Sequence, residues 1–90
     1  MMQESYLEVT FRHGKPMAAY YYLPRRPGQK SYRTERLDAG LLVDYGRGGR
    51  PIGIEITAPS ELTLPALNRV LRRLGQEPVG RREIAPLLAA

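Results

Sequence analysis

Hydrophobic and polar positions alternate most cleanly over residues 37–56, LDAGLLVDYGRGGRPIGIEI. Leu41, Val43 and Tyr45 point one way and Asp44 the other, and beyond a glycine-rich break Ile52, Ile54 and Ile56 alternate with Gly53 and Glu55. This pattern predicts a β-hairpin with one buried face. The turn over residues 46–50 permits positive φ at several glycines, and Pro51 removes one ladder donor at the start of the returning strand.

The same period of two appears earlier. Leu7, Val9 and Phe11 alternate with Glu8 and Thr10, and after a turn at His13 and Gly14 the chain resumes as a strand over residues 17–23. In that strand Ala19, Tyr21 and Leu23 share one face and Ala18, Tyr20 and Tyr22 the other, so tyrosines on both faces imply that neither is fully wet. A polar loop, PRRPGQKS from Pro24, leads to a charged extended stretch over residues 32–37, the composition expected near a sheet edge. Five strands in hairpin order predict an antiparallel meander.

Past Ala58 and Pro59 the period lengthens to about 3.6. Leu64, Leu67, Val70, Leu71 and Leu74 fall on one stripe, Thr63 is a good N-cap, Pro65 is tolerated in the first turn and Gly75 suits a left-handed stop. The expectation is an α+β fold: a small antiparallel β-meander of about five strands over residues 6–58, with one C-terminal amphipathic helix over 61–75 packed on the sheet. A tail over 76–90 forms one more short helical turn in this reading, with Ile84, Leu87 and Leu88 as contacts. The whole of 1–90 is a single domain.

Composition narrows the chemistry. Ninety residues without a cysteine exclude a disulfide framework, a thiolate metal site and a cysteine nucleophile. A core this small gains from added burial, which favours a homodimer or another protein partner. No apolar run approaches the roughly 20 residues that span a bilayer, and the beginning of the chain lacks a signal-peptide pattern, so no membrane association and a cytoplasmic location are expected. The formal charge of +5 and pI near 10 keep nucleic acid open as a partner.

The chain resembles the bacterial family called domain of unknown function 2283 over roughly residues 6–60. The match lies in the aromatic strand at Tyr20, Tyr21, Tyr22 and Leu23, in Asp38 with Gly40, in Val43, Asp44 and Tyr45, and in Gly53, Ile54, Glu55 and Ile56. Where family members usually carry acids before the aromatic strand, this chain has Lys15 and Met17. The resemblance implies a small β-rich fold and brings no established activity.

Three groups of side chains are candidates for function. Asp38, Asp44 and Glu55 could form a carboxylate cluster able to hold a hard cation or exchange protons, although alternation alone already places polar residues at 44 and 55. His13 is the only histidine and lacks the further ligands or nucleophile that metal binding or hydrolysis requires. The turn GRGGR joins two strands, whereas a phosphate loop joins a strand to a helix. Arg69, Arg72 and Arg73 sit three and four positions apart on the polar side of the helix, and Arg25, Arg26, Lys30 and Arg33 form a second basic group with Tyr32. These residues are the candidate surface for a partner or for nucleic acid. The expectation is a non-enzymatic interaction or regulatory module without a cofactor, acting through a protein partner or a homodimer. Nucleic-acid binding through the arginines is the alternative, and a carboxylate-based metal site or enzyme stands third.

Overall fold

The computed structural model describes residues 4–88. Five strands, β1 (Tyr6–Arg12), β2 (Lys15–Tyr22), β3 (Arg33–Asp38), β4 (Leu41–Tyr45) and β5 (Pro51–Ile56), form one antiparallel sheet. A short 3-10 turn (Pro59–Glu61) leads into α1 (Leu64–Arg73), and a second 3-10 turn (Arg81–Ile84) runs directly into α2 (Ala85–Leu88). The α+β architecture expected from the sequence is therefore present.

The strand order is β1-β2-β5-β4-β3, which corrects the simple meander in one respect. β5 folds back between β2 and β4, so two hairpin units are zipped along a central strand that is last in sequence. The reason lies in the link from β2 to β3. Three strand spacings amount to about 14 Å, which a tight turn cannot bridge and the proline-containing loop after Leu23 can. That loop is tied at both ends, the Leu23 amide donating to the Ile52 carbonyl (3.0 Å) and the Tyr32 amide to the Tyr45 carbonyl (2.7 Å).

The hairpin turns follow from backbone chemistry. His13 (φ 53°) and Gly14 (φ 75°) both occupy the left-handed region, the requirement of a two-residue turn whose twist matches its strands. Gly48 and Gly49 do the same between β4 and β5.

Alternation then sorts the side chains. Ala19, Tyr21, Leu23, Leu41, Val43, Tyr45, Ile54 and Ile56 join Leu67, Val70 and Leu71 of α1 in one core. Val43, Ile54, Leu67 and Leu71 are fully buried, so the leucine stripe shields the hairpin isoleucines as its spacing predicts. Helix α1 is shorter than the expected 61–75, because Glu61 is spent in the 3-10 turn, Leu62 and Thr63 are extended, and Leu74 and Gly75 form the C-terminal cap and stop. Its ends match the sequence reading: the Thr63 side chain accepts from the Ala66 amide (3.2 Å), and Gly75 stops the helix at φ 73°.

The tail is held by a device the leucine pattern does not announce. Buried Asn68 donates its amide to the Val79 carbonyl (2.9 Å) and accepts from the Val79 amide (2.8 Å), pairing a helix side chain with extended backbone. Thus fixed, the tail inserts Ile84 and Leu87 into the core, whereas Leu88 stays exposed.

Candidate interaction face

The side of the sheet away from α1 is built in rows by the strand register. One row reads Tyr6, Tyr22, Gly53, Asp44 and Thr34 across β1, β2, β5, β4 and β3; the next reads Glu8, Tyr20, Glu55, Leu42 and Arg36. Neither helix covers these rows with its apolar stripe, which is already buried on the opposite face.

Tyrosine organises the surface. The Tyr6 and Tyr22 rings stack with centroids 4.3 Å apart and an interplanar angle of 16°, and the Tyr20 ring meets Tyr22 edge-on at 4.6 Å. The Arg25 guanidinium lies over the Tyr22 ring, 4.6 Å from its centroid. Tyr20 leans across β5 to donate its hydroxyl to Asp44 Oδ2 at 2.7 Å, while Thr34 Oγ1 donates to Asp44 Oδ1. Gly53 makes that crossing possible. A Cβ at this position would sit 2.1 Å from the Tyr20 hydroxyl oxygen and 2.3 Å from two ring carbons, far inside van der Waals contact. An interior strand glycine often marks such a close approach.

Ionisation follows the geometry. Burial first, then the hydrogen bond to Asp44 and its charge, push the Tyr20 hydroxyl well above the usual tyrosine range, so it is a neutral donor at ordinary pH. Loss of hydration, followed by the nearby Glu8 charge, also raises Tyr22, whose hydroxyl donates to Glu8 Oε1 at 3.4 Å. A shallow recess of about 130 Å³ lies beside Tyr20, lined by Glu8, Thr10, Ala18 and Glu55.

The carboxylates do not gather as one cluster. Asp44 and Glu55 share the open face, but Asp38 lies on the helix side, where its Oδ1 accepts from the Ala39 amide (2.8 Å) and its Oδ2 from Arg69 (3.3 Å). A register shift between Arg36 and Asp38 changes the phase of β3 and carries Asp38 away from its expected companions. The Ala39 amide, and then Arg69, hold the Asp38 carboxyl below the usual range. Among the described residues, no group of three or more histidine, aspartate or glutamate side chains could hold a metal ion.

The basic residues divide as well. Arg25 belongs to the open face, whereas Arg33 stacks 4.1 Å from the Tyr45 centroid and pairs with Glu35 at 3.0 Å. Tyr32 is approached by Arg47 at 5.6 Å. Arg26 and Lys30 are exposed on the loop. Arg69, Arg72 and Arg73 are exposed on α1, as their spacing predicts, with Arg69 engaged by Asp38. His13 serves the turn and is exposed.

The tyrosines were visible as a strand pattern, but their assembly with Asp44, Gly53 and Arg25 was not. An interior glycine opposite an aromatic strand is the signal that could have revealed it. Among the described residues, no helix is long and apolar enough to cross a membrane. Compared with known proteins, the chain matches no family model, no curated protein and no solved structure.

Proposed function

We propose that this protein is a non-enzymatic interaction module that presents the tyrosine face of its sheet to a protein partner. The observation carrying this reading is the Tyr6–Tyr22–Tyr20 array, ordered by stacking and by the Tyr20–Asp44 hydrogen bond and left uncovered by the helices. Rigid aromatic side chains offer large contact area at low entropic cost, and arginine beside tyrosine is typical of the centre of protein interfaces.

Charge favours protein over nucleic acid as the ligand of this face. Glu8, Asp44 and Glu55 interleave with the rings and offset Arg12, Arg25 and Arg36 on the same face, so the open face is of mixed charge and not a basic track, whereas Arg72 and Arg73 extend from the helix on the far side. A base-stacking platform and a phosphate-binding patch would have to lie together to serve one strand. Kinship with the domain of unknown function 2283 family stays a proposal resting on the sequence motif; three of its matching residues, Tyr20, Asp44 and Gly53, meet at one point of the open face.

The test is affinity recovery from native extract at low salt, with and without nuclease, comparing the natural protein with a Tyr6→Ala/Tyr22→Ala variant. The expected result is a protein partner that survives nuclease and is lost with the two rings, while the variant keeps its circular dichroism. Retention that depends on nucleic acid, or a partner indifferent to both substitutions, overturns the proposal.

A further inference from the structure

The two margins of the sheet are built very differently. β3 presents Arg33, Thr34, Glu35 and Arg36, all exposed, and its ladder is interrupted by the register shift before Asp38. Charge and irregularity of this kind discourage pairing with another strand. β1 at the opposite margin carries only two charged residues, Glu8 and Arg12, and its own backbone is regular. The shift in the β1–β2 ladder lies between Thr10 and Phe11, where Thr10 faces Ala18 and Phe11 faces Pro16, so the extra residue, Met17, belongs to β2 and β1 itself runs without a bulge. Its sequence, YLEVTFR, contains no proline, and Tyr6 and Phe11 are 47% and 53% exposed.

The side chains of β1 are also complementary to themselves. In an antiparallel pair of identical strands centred on Thr10, Glu8 of each copy faces Arg12 of the other, and Val9 faces Phe11. Alternation puts both charged pairs on the open face and both apolar pairs on the helix face. In β3 the same construction centred on Thr34 also sets Arg33 against Glu35, but those two already pair with each other within one chain, no apolar pair accompanies them, and the ladder is broken before Asp38.

From this complementarity we propose that two copies of the chain pair through their β1 strands, in antiparallel register centred on Thr10, to make a continuous ten-stranded sheet. The occupant of the margin is a second copy because the register satisfies both charges of the strand and covers the exposed Phe11 in a two-fold arrangement. This inference concerns the margin and stands apart from the partner proposed for the open face. It leaves that face accessible and sets two tyrosine arrays on one surface, with the Tyr6 residues roughly 27 Å apart along the strands.

Sedimentation over a range of concentrations, together with charge exchange at residues 8 and 12, tests the pairing. The natural chain is expected to dimerise. Glu8→Arg places arginine opposite arginine and Arg12→Glu places glutamate opposite glutamate, so each variant alone should dimerise about tenfold more weakly or worse. Mixing the two variants restores both attractive pairs and should recover the dimer, as should the double variant E8R/R12E on its own. Both residues are exposed, and retained circular dichroism verifies the fold of each variant. Because the chain lacks cysteine, Thr10→Cys should cross-link to a covalent dimer on mild oxidation, whereas Thr34→Cys on the other margin should not. A natural chain that stays monomeric at hundreds of micromolar, a dimer unchanged by either charge reversal, or a mixture that fails to recover overturns the inference. Because Glu8 accepts from the Tyr22 hydroxyl, the variants that keep Glu8, Arg12→Glu and Thr10→Cys, are the ones that separate loss of the dimer from loss of the open-face partner.

Discussion

The two faces of the sheet are ordered by different forces. On the helix side, Val43, Ile54 and Ile56 are buried against Leu67 and Leu71, and their order comes from close packing that tolerates little change in volume. On the open side, order comes from directional contacts: stacked rings, a hydroxyl aimed at a carboxylate, and a glycine that lets one side chain cross another strand. The first face accounts for why the chain folds. The second spends side-chain order on a surface that stays in contact with solvent, which is the pattern of a preorganised binding surface.

That contrast predicts a graded set of stability changes. The largest falls on the packed face: Ile54→Ala should remove about 3–4 kcal/mol in denaturant unfolding, through lost burial and the cavity left behind. The Tyr6→Ala/Tyr22→Ala variant should cost clearly less than Ile54→Ala, and a reversal of that order would break the distinction between the faces.

Next in size is Gly53→Ala, which drives a methyl group into the Tyr20 ring and should cost about 2 kcal/mol. In a double-mutant cycle with Tyr20→Ala most of that cost should vanish, since the three atoms nearest the added methyl all belong to the Tyr20 side chain. Additive effects would mean that the glycine serves some purpose other than the crossing.

Tyr20→Phe should cost about 1 kcal/mol at neutral pH, where it leaves Asp44 with one donor fewer. Its alkaline behaviour sharpens the point. The folded hydroxyl ionises above its unfolded value near 10, so its contribution is fully present below about pH 10 and is lost as pH rises towards the folded value. The natural protein should therefore lose stability above about pH 10 more steeply than the phenylalanine variant. Ultraviolet titration should also show late-ionising tyrosine signal that diminishes with the substitution.

The smallest effect belongs to Asp38. Its folded carboxyl titrates below the unfolded value near 4, so its contribution is present above that pH and is lost as pH falls through the folded value. Asp38→Asn should flatten the acid limb of the stability profile and change little at neutral pH, because the ion pair with Arg69 is exposed.

How much of this was legible in the chain depends on how local each feature is. The β4–β5 hairpin, the Thr63 cap, the Gly75 stop and the leucine stripe are written in adjacent residues and appear where the sequence places them. The central position of β5 is not, because pairing Tyr21 with Ile54 is a choice between distant segments that alternation leaves open. Asp38 shows the same limit at one residue: a single ladder shift moves it to the other side of the sheet. Asn68 reads as an ordinary helix polar residue until the tail it clamps is in place. Gly53 reads as a break in a strand until Tyr20 lies over it.

Tyrosine modification followed by mass spectrometry, in the free protein and in its recovered complex, tests the central claim most directly. Tyr32, 70% exposed and outside the open-face array, serves as the internal reference for Tyr6. A functional open face predicts that Tyr6 becomes protected in the complex, relative to free protein at the same concentration, while Tyr32 reacts as before. Equal reactivity of Tyr6 in both states would contradict it.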